Sequence, residues 1–131
     1  MSTFLFAYGT LKAGLAPRHL AHVVARLRRS GQGTVAGTIY DLGDYPGAVL
    51  DAASEKKFYG TVFEVPEDPE LWRELDAYEE YEPDLPAVSQ FVRVRTMVQM
   101  IEGGSLECWI YVYNRDVEGA NVIQSGAWKK A

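Results

Sequence analysis

The chain carries a single cysteine, Cys108, so no intrachain disulfide can staple it and its stability has to come from packing. It has no apolar run near the roughly 18 residues that a membrane-crossing helix needs. Its first residues, Met1-Ser2-Thr3-Phe4-Leu5-Phe6-Ala7, lack the basic flank of a signal peptide and are soon broken by Gly9. These absences lead to the expectation of a cytoplasmic protein without a membrane partner. An excess of positive charge is missing too: 13 Lys and Arg stand against 18 Asp and Glu, a net charge of −5. Binding to a phosphate backbone rests on clustered cations. The one tight basic group, Arg26, Arg28 and Arg29, falls where a helix is expected to end and is read as complementing its dipole. No nucleic-acid partner is expected.

Several chemical signatures are also absent. The chain contains no Gly-x-x-x-x-Gly-Lys-Ser/Thr loop, no Gly-x-Gly-x-x-Gly and no Gly-x-Ser-x-Gly elbow, which removes the usual marks of nucleotide binding and acyl-serine chemistry. His19 and His22 have no acidic or cysteine neighbour in sequence and read as ordinary surface or helix-terminal histidines, so no metal site is expected. Cys108 lies mid-strand between Glu107 and Trp109 and reads as a buried thiol rather than a nucleophile.

What is present is an ordinary globular composition, 47% hydrophobic and 24% charged over 131 residues, which suits one domain spanning 1–131. Phe4 to Tyr8 reads as a buried strand, followed by the glycine-bearing loop Tyr8-Gly9-Thr10-Leu11. Pro17 opens a helical pattern through Leu20, Val23, Val24 and Leu27 that Gly31 closes. Strands are expected over Thr34 to Leu42, Ala48 to Leu50 and Lys57 to Val65, with Gly43 to Gly47 as a turn. Ser89 to Ile101 and Leu106 to Tyr113 form a hairpin around Gly103-Gly104, and Val122 to Trp128 is a short docked tail. About six strands and two helices, without strand–helix alternation, argue an α+β fold with a mixed, strongly bent sheet or a barrel.

One stretch stands out. Asp68-Pro69-Glu70 has the cap, the first-turn proline and the early acid of a helix N-terminus. Advancing about 100° per residue from Trp72 puts Tyr78, Leu71 and Leu75 at roughly 240°, 260° and 300°, with Glu79 at roughly 340° inside the apolar arc. Glu80 falls at about 80° on the wet side. An inward carboxylate is costly unless paired, protonated or facing a cavity. Glu79 is therefore a satisfied structural residue or a working acid/base, and a closed salt bridge to Arg93 would mark the former.

The Tyr8-Gly9-Thr10-Leu11 loop after a first strand, the strand Gly60 to Val65, Leu75-Asp76-Ala77-Tyr78-Glu79 behind it, and Tyr45-Pro46-Gly47 between them together resemble the gamma-glutamylcyclotransferase-like family. Within it the likeness is to the small gamma-glutamylamine cyclotransferase type, over about residues 4 to 113. The resemblance implies a small mixed β-barrel of about six strands with two main flanking helices, and release of 5-oxoproline and a free amine or amino acid from a small gamma-glutamyl substrate, without metal or cofactor. It implies Glu79 as the acid/base and Tyr8, Gly9, Thr10 and Leu11 as the substrate-binding loop. Tyr45, Pro46 and Tyr113 are expected to join the binding set; Tyr111 and Tyr113 face one side of their strand by alternation. The chain departs from the family's pattern at Glu80, after the glutamate, where glycine is common, and at Phe91, two places before Arg93, where the pattern has tyrosine. A fold does not fix chemistry, so a binding module for the same kind of ligand, without turnover, is the alternative.

Overall fold

The structure is a computed structural model in which residues 3–9 and 20–128 are described. Its strands are β1 (Thr3–Ala7), β2 (Arg28–Asp41), β3 (Pro46–Leu50), β4 (Lys57–Val65), β5 (Phe91–Met100), β6 (Ser105–Tyr113) and β7 (Asn121–Val122). Helix α1 (Ala21–Val24) precedes β2, and helix α2 (Pro69–Tyr78) joins β4 to β5. The strand order β2-β4-β1-β6-β5 closes on itself, because Gly33 and Thr34 of β2 also pair with Met100 and Gln99 of β5. Five strands thus form the barrel, while β3 and β7 pair with the far end of β2 outside it. The β1–β6 pair is parallel and the others are antiparallel, so the sheet is mixed as expected.

Strand alternation divides the core into two layers. Phe6, Val35, Phe58, Val62, Val98, Cys108 and Ile110 fill the barrel interior. Leu5, Ala7, Phe63, Val65 and Tyr111 face outward, where Leu20, Val23, Leu71 and Leu75 cover them. Both faces of β1 are therefore buried, which is why Phe4 to Tyr8 reads as an unbroken apolar run rather than an alternating one. Cys108 sits in the interior, where burial and then the nearby Glu107 push its thiol up to about 12. At neutral pH it stays a protonated core residue.

The start of β2 departs from the expected helix. Helix α1 ends at Val24, and Arg28 already pairs with Glu64 of β4. Arg28 and Arg29 are thus strand residues, placed by cross-strand pairing rather than by a helix dipole, and Arg26 bonds Asp68 at the head of α2 (2.7 Å). Further along, β2 leaves β4 after Ala36 and takes β3 as its partner from Gly37 onward. Gly37 has φ +145°, and an added Cβ would strike the Val49 carbonyl oxygen. Only glycine accommodates this change of partner, and the change carries Tyr45 and Pro46 to the end of the barrel. We expect Gly37→Ala to destabilise the fold by about 2–3 kcal/mol, measurable by urea denaturation.

Candidate active site

Helix α2 begins as its sequence dictates, with the Asp68 carboxylate accepting the Glu70 amide (3.0 Å) and Pro69 in the first turn. It ends in a Schellman turn: the Tyr81 amide donates to the Asp76 carbonyl (2.8 Å) and the Glu80 amide to that of Ala77 (3.2 Å). Glu80 fills the left-handed position at φ +55°, which glycine usually takes. Glu79 is the cap residue just before this reversal.

A cavity of about 170 Å³ opens here, between the end of α2 and the barrel. Residues 5–9 form one wall; Tyr45 and Pro46 come from the start of β3 and the residue before it, Tyr78, Glu79 and Glu80 from the helix end, Gln90 and Phe91 from the start of β5 and the residue before it, and Tyr111 from β6. Glu79 is half-buried. Desolvation pushes its carboxyl from 4.5 up to about 8, and the negative end of the α2 dipole acts in the same direction. Among the described residues its carboxylate has no hydrogen bond or ion pair. Arg93, the partner that would have marked it as structural, is engaged elsewhere.

That engagement builds the cavity wall. The Asp76 carboxylate accepts from Arg93 Nε (2.9 Å) and Nη2 (3.3 Å), and from the Tyr111 hydroxyl (2.6 Å). The Arg93 guanidinium lies 4.5 Å from the ring centre of Trp72 and 4.6 Å from that of Trp109. A buried charge pair is tolerated when its remaining hydrogen-bonding capacity is filled and its cation is stacked, and both conditions hold. The network ties α2 to β5 and β6 and fixes the Tyr111 ring on the wall. Burial and then the bond to Asp76 raise the Tyr111 hydroxyl well above the usual phenol range.

Of the residues singled out from the sequence, Tyr8, Gly9, Tyr45, Pro46 and Glu79 meet at this cavity. Thr10 and Leu11 lie outside the described residues. The Tyr8 hydroxyl donates to the Tyr111 carbonyl (2.5 Å) and accepts from the Ala48 amide (3.2 Å), so its side chain bolts β3 to β6. What Tyr8 and Gly9 offer the cavity is backbone, and at Gly9 a Cβ would come within 3.0 Å of Pro46. Tyr45 bonds Gln90 and packs on Phe91. Tyr113 does not reach the cavity; its ring stacks behind Phe91 at 5.4 Å, and Tyr111, the other member of the alternating pair, lines the wall. Gln90 and the Asp76–Arg93 pair were not foreseen. Asp76 could have been, since it lies four residues after Trp72 on the same helix face; Gln90 carries no such signal.

The barrel is small and closed, and on the wall of its cavity stands an acid that has no partner among the described residues. The chain belongs to the gamma-glutamyl cyclotransferase, AIG2-like family, whose model matches residues 5–130. It is similar to the gamma-L-glutamyl-butirosin B gamma-glutamyl cyclotransferase of Niallia circulans, 34% identical over 113 residues that cover 86% of this chain and 67% of that one. Among solved structures it resembles YkqA of Bacillus subtilis, with a TM-score of 0.71 and 25% identity, spanning 98% of this chain and 40% of that one. It also shares the fold of an AIG2-like protein from Mus musculus, with a TM-score of 0.76 at 22% identity over 98% and 88% of the two chains. Among the described residues no group of acids, histidines or cysteines is arranged to hold a metal, and no helix is long and apolar enough to cross a membrane.

Two stability measurements follow from this geometry. Replacing Asp76 by alanine strands the Arg93 cation between two indoles, and we expect a loss of about 3 kcal/mol in chemical denaturation. Glu79 has its folded pKa raised above its unfolded value, so its contribution is fully present below about pH 4.5 and is lost as the pH rises through about 8. Glu79→Gln should therefore match wild type in melting temperature near pH 4 and exceed it near pH 9; a gap that does not change with pH refutes the shift.

Proposed function

We propose that the protein is a gamma-glutamyl cyclotransferase, releasing 5-oxoproline and a free amine or amino acid from a gamma-glutamyl compound, with Glu79 as the single acid/base. The observation that carries this reading is a carboxyl group with no partner among the described residues, titrating near 8 on the wall of a cavity it shares with the Tyr8-Gly9 backbone. The family and the similarity to the butirosin-conjugate enzyme support it.

The substrate brings both reacting groups. Its α-ammonium gives a proton to the Glu79 carboxylate, and the freed amine attacks the γ-carbonyl carbon, forming the ring C–N bond and a tetrahedral oxyanion. The oxyanion collapses, the bond to the departing nitrogen breaks, and Glu79 returns its proton to that nitrogen. The second proton of the ring nitrogen follows through Glu79 to the freed amine, so the five-membered lactam and an ammonium leave, and Glu79 is a carboxylate again. Because nucleophile and electrophile belong to one molecule, holding the chain curled supplies much of the acceleration. Loop amides at Tyr8 and Gly9 are suited to the oxyanion or the α-carboxylate.

A pKa near 8 suits this shuttle. In the empty cavity Glu79 is largely protonated at neutral pH. The entering ammonium favours the carboxylate, so acid and base forms both come within reach during one turnover.

Release of 5-oxoproline over a panel of gamma-glutamyl amides tests the reading. Glu79→Gln should keep the fold and ligand binding but lose about 10²–10⁴-fold in kcat. For wild type, kcat/KM should rise with pH through about 8, the value for the unoccupied site, while the corresponding limb of kcat falls at lower pH because bound ammonium stabilises the carboxylate. Undiminished turnover by Glu79→Gln sinks the mechanism. Ligand binding without any 5-oxoproline identifies a non-catalytic module instead.

A further inference from the structure

A gamma-glutamyl compound presents two anionic groups to the cavity: an α-carboxylate that persists through the reaction and an oxyanion that forms at the γ-carbon. The Tyr8 and Gly9 backbone suits one of them. Two of the tyrosines on the lining have their protons committed, the Tyr8 hydroxyl donating to the Tyr111 carbonyl and the Tyr111 hydroxyl to Asp76. Tyr45 differs, because its hydroxyl oxygen accepts from Gln90 Nε2. The Tyr45 O–H and the second N–H of the Gln90 amide have no partner among the described residues, so both can donate to a ligand. With the amide turned over, Tyr45 would donate to Gln90 Oε1 and both amide hydrogens would be available, so the couple offers donors in either orientation. Its position is built. The Asn114 amide donates to the Gln90 carbonyl (2.8 Å), and Asn114 Nδ2 donates to the carbonyls of Ser89 (3.0 Å) and Pro86 (2.9 Å). The buried Ser89 hydroxyl in turn accepts from the Glu82 amide (2.8 Å), and the Tyr45 ring packs edge-on against Phe91. Tyr45 is exposed and Gln90 half-buried, which puts the couple at the mouth of the cavity. A permanent charge belongs there, since a carboxylate keeps part of its hydration at a rim and loses it in the interior. A transient oxyanion is served best by donors fixed in a drier wall.

We propose that Gln90 and Tyr45 are substrate-binding residues that hold the glutamyl α-carboxylate at the mouth, that Asn114 is the positioning residue for Gln90, and that the Tyr8 and Gly9 backbone is thereby left for the oxyanion. The proposal rests on the cyclotransferase reading. It concerns the half that all gamma-glutamyl compounds share and is indifferent to the departing amine. The carboxylate keeps its charge from the bound state to the transition state, so its binding is uniform and its loss appears in KM rather than in kcat.

Two probes test it. One is gamma-glutamylbutylamide, followed by its 5-oxoproline; the other is N-butyl-4-aminobutanamide, which has the same attacking amine and leaving group but no α-carboxylate and closes to 2-pyrrolidinone. Gln90→Leu and Tyr45→Phe, which keep the packing volume, should each raise KM for the first probe about tenfold while kcat stays within about twofold. The ratio of kcat/KM between the two probes should shrink by the same factor. Asn114→Ala should shift KM and the ratio in the same direction by less, because its backbone bond to Gln90 remains. A fall in kcat at unchanged KM moves the couple to the oxyanion and overturns the assignment. Equal losses with the two probes overturn it as well, leaving Gln90 and Tyr45 as a structural clasp. The split between KM and kcat decides even where the second probe turns over too slowly to follow. All three of these outcomes leave the cyclotransferase intact, whereas no 5-oxoproline from the first probe in wild type overturns that reading and this one together.

Discussion

The anchoring of the last turn of α2 is the interaction on which the site depends. Asp76 accepts at once from Arg93 and Tyr111, and the stacked indoles of Trp72 and Trp109 hold the guanidinium in place. Helix ends fray when their terminal carbonyls face only water. Here the last turn is held through a side chain from β5 and another from β6, and its carbonyls are closed by the Schellman bonds to Tyr81 and Glu80. With the turn fixed, the cap residue that follows has little choice of direction, and Glu79 is directed to the cavity.

Two carboxylates three residues apart on one helix therefore live in opposite environments. Asp76 is buried and fully partnered, and its burial is compensated by a cation and a hydroxyl. Glu79 is half-buried with no partner among the described residues, and desolvation acts on it unopposed. The first arrangement confers order, and the second holds the Glu79 carboxyl well above the usual carboxylate range. The barrel makes the contrast possible because its closed wall supplies rigid partners for one acid while its open end supplies space for the other.

The positions of the main elements could be read from local pattern. Strand β4 and helix α2 are bounded by Gly, Pro and Asp signals that act within a few residues, and the wheel separated Glu79 from Glu80. The helix expected from Pro17 to Leu27 was less legible. Its described part stops at Val24 and gives way to β2, because pairing with β4 along Arg28 to Ala36 outweighs a local helical period. Tyr111 and Tyr113 illustrate a different limit. Alternation puts them on the same side, yet only the height of each along the barrel decides that Tyr111 meets the cavity while Tyr113 packs behind Phe91.

By itself, then, the sequence determined a single α+β chain with mixed strands, a well-capped helix and an acid on its apolar face, since those properties follow from nearest-neighbour chemistry and periodicity. The tertiary structure decided that Arg93 takes Asp76 and leaves Glu79 alone, that the Tyr8 hydroxyl is consumed in joining β3 to β6, and that Glu80 turns the chain at the mouth of the cavity. These outcomes depend on which groups meet across tens of residues of chain. A carboxylate's protonation state and reach are set by that meeting, through desolvation and partner charge, and not by its place in the helix alone.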